Sequence, residues 1–109
     1  MTTITVFYKG GRITGFKAKG HTGYAEQGSD IVCAAVSAVT QTACLGLMEY
    51  LKAQPQIVQK DGELRLDLSE GMPPKDVERA ELILGTMLSG LRSVQENYSD
   101  YLKIIKKEV

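Results

Sequence analysis

The sequence predicts one α+β domain, with two β-hairpins and a C-terminal strand in the order ββαββαβ. The strands are expected to form a largely antiparallel sheet packed with two long helices. Three observations carry this reading. Apolar residues alternate with period two around Gly10-Gly11, and again around Asp61-Gly62. Two long runs, from Asp30 to Lys52 and from Pro74 to Tyr98, repeat apolar residues at helical spacing. Hairpins separated by helices imply helices layered on an antiparallel sheet.

In chain order, residues 3–9 place Ile4, Val6 and Tyr8 on one face of a first strand. Gly10-Gly11 is a two-residue hairpin signal, because both positions of a type I′ turn need positive φ. Residues 12–19 return with Phe16 and Ala18 on one face and Lys17 and Lys19 on the other. A glycine-broken loop follows. The first helix is read from Asp30, with Val32, Val36, Val39, Ala43 and Leu47 as its stripe and Pro55 as its terminator. Ala34, Ala35 and Ala38 make a second flank apolar, so this helix is expected to be covered on more than one side. In the second hairpin, residues 57–60 and 63–68, Leu64, Leu66 and Leu68 face inward around an Asp61-Gly62 type I′ turn. Pro74 suits the first position of the second helix, whose stripe runs from Val77 through Leu84 and Leu91 to Tyr98. A final strand is expected over Tyr101–Ile105.

A chain of 109 residues makes a single domain, 1–109. Its 24% charged residues fit a globular protein, and thirteen basic residues cancel thirteen acidic ones. That balance argues against a broad basic face for nucleic acid. The segment Met1-Thr2-Thr3-Ile4-Thr5 has neither the basic nor the apolar region of a signal peptide, and no apolar run is read as a membrane span. The location expected is cytoplasmic. Cys33 and Cys44 lie on one predicted helix, about 16 Å of rise apart, so they should remain free thiols.

The chemistry concentrates in Gly20-His21-Thr22-Gly23-Tyr24-Ala25 and Gly28-Ser29-Asp30-Ile31-Val32-Cys33-Ala34-Ala35-Val36-Ser37. This stretch holds the sole histidine and one of the two cysteines. With Ser29 or Asp30 as the helix cap, Cys33 falls in or just beyond the first turn, where free N–H groups and the helix dipole favour an anion. His21 sits on a tether broken by Gly20, Gly23 and Gly28. A thiolate with a histidine partner is the minimum equipment of a cysteine hydrolase. Against this stands the ordinary reading of a cysteine in an alanine-rich helix as a small buried hydrophobe, which is retained for Cys44.

The spacing Gly20-His21, Gly23-Tyr24-Ala25, Gly28-x-Asp30-Ile31-Val32-Cys33-Ala34-Ala35-Val36-Ser37 resembles the ribosomal-processing cysteine proteases, the Prp family. The resemblance implies Cys33 as nucleophile and His21 as general base, with Asp30 and Ser37 at further motif positions. It also implies a small homodimeric α+β protein; no cofactor is expected. Its substrate would be the precursor of a large-subunit ribosomal protein, the twenty-seventh in the usual numbering. The enzyme would remove that precursor's N-terminal extension, cutting after aromatic residues.

Asp30 and Ser37 lie one turn either side of Cys33, near one helical face. Asp30 either serves the helix start or orients His21. Ser37 either bonds back to the Cys33 carbonyl or touches substrate. His21, Cys33 and Cys44 do not have the spacing of a metal site, and the glycines lack the context of a phosphate loop. The loop of Gly20, Gly23, Tyr24 and Gly28 is instead read as gating the substrate, with Tyr24 a wall for aromatic residues. Two other classes compete with the protease: a non-enzymatic ribosome-assembly module, and a redox thiol switch.

Overall fold

Gly10 and Gly11 adopt φ of 59° and 81°, and so close β1 (Thr2–Lys9) onto β2 (Arg12–Lys19) in the tight turn their sequence predicts. The pairing sets Ile4 opposite Ala18 and Val6 opposite Phe16. Between Phe7 and Tyr8 the register shifts, leaving Thr14 as the extra residue of a β-bulge that plain alternation did not reveal. The computed structural model describes residues 1–20 and 27–109, the first four of the second segment (27–30) in backbone only. His21, Gly23, Tyr24 and the proposed gating action therefore lie outside the described residues, as does the side chain of Asp30.

The remaining elements are α1 (Gln27–Tyr50), β3 (Gln56–Lys60), β4 (Glu63–Asp67), α2 (Pro74–Asn97) and β5 (Leu102–Glu108). The order is the expected ββαββαβ. The sheet runs β3-β4-β2-β1-β5, with every pairing antiparallel except β1 with β5, which is parallel. The sheet is thus mixed. β5 also extends beyond the expected Ile105, because Lys106, Lys107 and Glu108 stay in register with Val6, Phe7 and Tyr8. Lys106 lays its ammonium 4.5 Å from the Tyr8 ring centre, which offsets the weak strand preference of a charged run.

Both helices cover one face of the sheet. Ile4, Val6, Phe16 and Leu66 meet Val32 and Leu47 of α1 and Leu84 and Leu91 of α2 in a common core. On the other face Phe7 is buried beneath the Arg65 guanidinium, 4.7 Å from the ring centre.

Several local expectations need correction. Only Gly62 takes positive φ in the second hairpin (72°), so Asp61-Gly62 is not a type I′ turn; Asp61 keeps the backbone that most residues prefer. α1 starts at Gln27, so Ser29 and Asp30 are its third and fourth residues rather than its cap. Position 30 still lies in the first turn, where an acid complements the dipole. α1 stops at Tyr50, well before Pro55, because side chains take up its end. The Gln54 amide donates to the carbonyls of Met48 (3.1 Å) and Leu51 (2.8 Å), and the Asp76 carboxylate accepts from the N–H of Lys52 and Ala53.

Over Ile31–Tyr50, α1 is long and apolar enough by length and composition to cross a membrane, which the expectation of no such run had missed. Part of that apolarity is used against the sheet and α2, through Val32, Val36, Ala43 and Leu47, while Ile31, Leu45 and Met48 are exposed. Of the alanine flank, Ala34 and Ala38 are exposed and Ala35 is half-buried.

Candidate active site

Period-two alternation in β1 puts Thr2 on the same face as Ile4 and Val6, the face that receives α1. Thr2 is accordingly buried, at 6% exposure. Its backbone N–H donates to the Tyr101 carbonyl at 2.9 Å, and β5 pairs Leu102 beside it. Across the interlayer gap, the Thr2 hydroxyl lies 3.4 Å from the Cys33 thiol. Cys33 is half-buried on α1.

Beyond Thr2 the chain of β2 ends at Gly20. This residue has φ of 141°, and its N–H donates to the Gly62 carbonyl at 3.2 Å. A Cβ here would stand 2.6 Å from the Met1 carbonyl oxygen and 2.7 Å from the Thr2 Cα. Glycine is therefore required on both conformational and steric grounds. Gly20, which His21 follows directly in sequence, thus lies beside Thr2, the residue that touches Cys33.

A cleft of about 220 Å³ opens at this junction. Its floor is Ala18, Leu64 and Gln59 of the sheet; its wall is Cys33, Ser37 and Gln41 of α1. Lys60, Gly62 and Glu63, from the second hairpin, close one side. Cys33 and Ser37, one helical turn apart, both line this cleft. Whether Asp30 joins them lies outside the described side chains.

The longer helix changes one electrostatic argument. Cys33 is the seventh residue of α1, about 9 Å of rise from Gln27, so its own N–H is within the helical ladder. The free N–H groups belong to the first turn, and Cys33 does not stand among them as expected. Cys44 lies deeper in α1 and is buried, and loss of solvent pushes its thiol pKa up. Both thiols are free.

The family model of the cysteine protease Prp matches residues 1–103. The chain belongs to the Prp family of cysteine proteases. A ribosomal processing cysteine protease Prp from Bacillus subtilis (strain 168) is 29% identical over 94 residues, covering 84% of each chain. An essential ribosomal processing protease Prp from S. aureus, crystallised with a substrate peptide, matches this fold with a TM-score of 0.87 at 27% identity. That match covers 98% of this chain and all (100%) of the other. A second S. aureus Prp structure carries a covalently linked product peptide, with a TM-score of 0.84, 28% identity and the same coverage of 98% and 100%.

Thr2 was absent from the sequence reading of the site. The signal was available: stepping back two residues from Ile4 puts a hydroxyl on an otherwise apolar face, where it needs a partner.

Proposed function

We propose that this Prp protease removes the N-terminal extension of a large-subunit ribosomal protein precursor, the twenty-seventh in the usual numbering, with Cys33 as nucleophile and His21 as general base. The observation that carries the residue assignment is the seating of Gly20 against Met1 and Thr2, beside the half-buried Cys33 thiol. Gly20 and Cys33 line the same cleft, and His21 follows Gly20 directly in sequence. The ribosomal substrate class rests on the names of the relatives, and a covalently linked product in an S. aureus Prp fits a thiol that bonds to its substrate.

In the proposed reaction His21 takes the Cys33 proton and the sulfur attacks the scissile carbonyl carbon. The C–N bond then breaks, and protonated His21 gives its proton to the departing amine. Water, deprotonated by His21, attacks the thioester carbonyl carbon; the C–S bond breaks, His21 returns the proton to the leaving thiolate, and the peptide acid departs. In this reading Asp30 supports the start of α1, and Ser37, which lines the cleft, contacts substrate backbone. The enzyme is proposed to work in the cytoplasm as a homodimer. An apolar groove of about 600 Å³ between α1 and α2, lined by Val39, Gly46, Leu82, Ile83 and Gly90, supports the dimer, as do the exposed Leu45 and Met48.

Mass spectrometry of the ribosomal precursor after incubation with wild type and with Cys33→Ala tests the reading. One cut after aromatic residues, absent with Cys33→Ala, is the expected result. An intact precursor that still binds would favour an assembly module, and cleavage by Cys33→Ala would remove the nucleophile.

A further inference from the structure

The row of side chains that β1 turns toward the helices is Thr2, Ile4, Val6 and Tyr8. Thr2 is the one member without an apolar body or ring, and it is among the most buried polar residues described. A buried hydroxyl without a partner is costly, and this one has the Cys33 sulfur at 3.4 Å. Its position is tightly held. The Thr2 N–H is bonded to Tyr101, Leu102 pairs on one side, and the Gly20 backbone presses on the other. A threonine side chain has restricted rotation about its first bond, so its oxygen is aimed with little freedom.

We infer that Thr2 is a positioning residue of the protease, whose hydroxyl holds the Cys33 sulfur toward the cleft and donates to it once its proton has gone. The inference rests on Cys33 being the nucleophile. With the thiol protonated, either atom donates to the other. When His21 removes the thiol proton, the sulfur becomes an acceptor only, and the hydroxyl hydrogen turns onto it. No proton is transferred from Thr2. The contact changes from a weak neutral hydrogen bond to a charge-assisted one, roughly twice as strong. It therefore favours the reactive state over the resting one.

The test compares Thr2→Val, which keeps shape and strand preference, with Thr2→Ser, which keeps the hydroxyl. Alkylation of Cys33 by iodoacetamide is followed across pH in the full chain, with Cys44 resolved by peptide mass. Thr2→Val should slow Cys33 alkylation about tenfold near neutral pH and move its pH profile upward, the effect of losing one hydrogen bond to a charged group. Thr2→Ser should restore most of the rate. On the ribosomal precursor, Thr2→Val should lower kcat by a similar factor and leave KM unchanged. Cys44 should remain protected in every variant, which shows that the fold is intact. A Thr2→Val profile matching wild type overturns the inference, as does an equal loss in Thr2→Ser, which would mean packing alone. Cleavage that persists in Cys33→Ala overturns the nucleophile itself, and the inference with it.

Discussion

The carboxylate of Asp76, in the first turn of α2, accepts the backbone N–H of Ala53 at 2.8 Å and so fastens the segment leaving α1 to the start of α2. The Lys52 N–H adds a second bond at 3.1 Å. The Ala53 N–H is the main reason the Asp76 pKa lies below the usual aspartate value of 3.8, despite the opposing effect of burial. A depressed folded pKa stabilises the fold above the usual value, and that stability disappears as pH falls through the folded one. Asp76→Asn should therefore melt below wild type at neutral pH but lose less further stability in acid. Thermal denaturation followed by circular dichroism from pH 7 to pH 3 checks this, and parallel curves would place the acid sensitivity elsewhere.

His21→Ala should cut turnover of the ribosomal precursor by at least about 10²-fold, the low end for a lost general base. Folding should be unchanged. The measurement is single-turnover cleavage beside a thermal melt, and near-normal turnover would take the base away from His21.

The two thiols should separate in reactivity. Cys44 is buried and its ionisation is opposed by desolvation, while Cys33 opens onto the cleft. Iodoacetamide should label Cys33 in the native protein and Cys44 only after denaturation, as read by peptide mass. Labelling of Cys44 first would show that α1 opens more readily than its packing implies.

Leu82 is 67% exposed and Leu45 is 63% exposed, on helices that border the same apolar groove. Sedimentation at micromolar concentration should give a dimer, and Leu82→Arg should shift it toward monomer by burying an unpaired charge. A monomeric wild type would leave the groove to another occupant.

Gly20→Ala should destabilise the protein by about 1–3 kcal/mol for the unfavourable backbone conformation alone. The clash with Met1 and Thr2 adds to that cost. Urea denaturation measures the loss. Because the clash falls on Thr2, cleavage should drop even at temperatures where the variant stays folded.

Much of this architecture is written in short-range pattern. The Gly10-Gly11 turn, the Leu64–Leu66 face and the stripe of α2 follow from periodicity and turn chemistry, and each is observed. What escaped depends on partners distant in sequence. α1 ends early because Asp76, more than twenty residues on, bonds to Lys52 and Ala53. β5 outruns its strand preference because β1 offers a partner for each residue. The site divides in the same way. Cys33 and Ser37 are legible from helical spacing, whereas Thr2 meets Cys33 across two layers and thirty-one positions.

The parallel pairing of β5 with β1 has a consequence for how the enzyme comes into being. Thr2 is matched with Leu102 and Tyr8 with Glu108, so each β1 residue waits for one a hundred positions later. At about 5–20 residues per second on the ribosome, that wait is on the order of 5–20 s. Throughout it, one side of β1 is an unsatisfied edge of the kind that recruits other strands. The Tyr101 carbonyl that anchors the Thr2 N–H arrives in the same late segment. A nascent copy therefore carries Cys33 long before it carries the strand pairing that holds Thr2 beside the thiol.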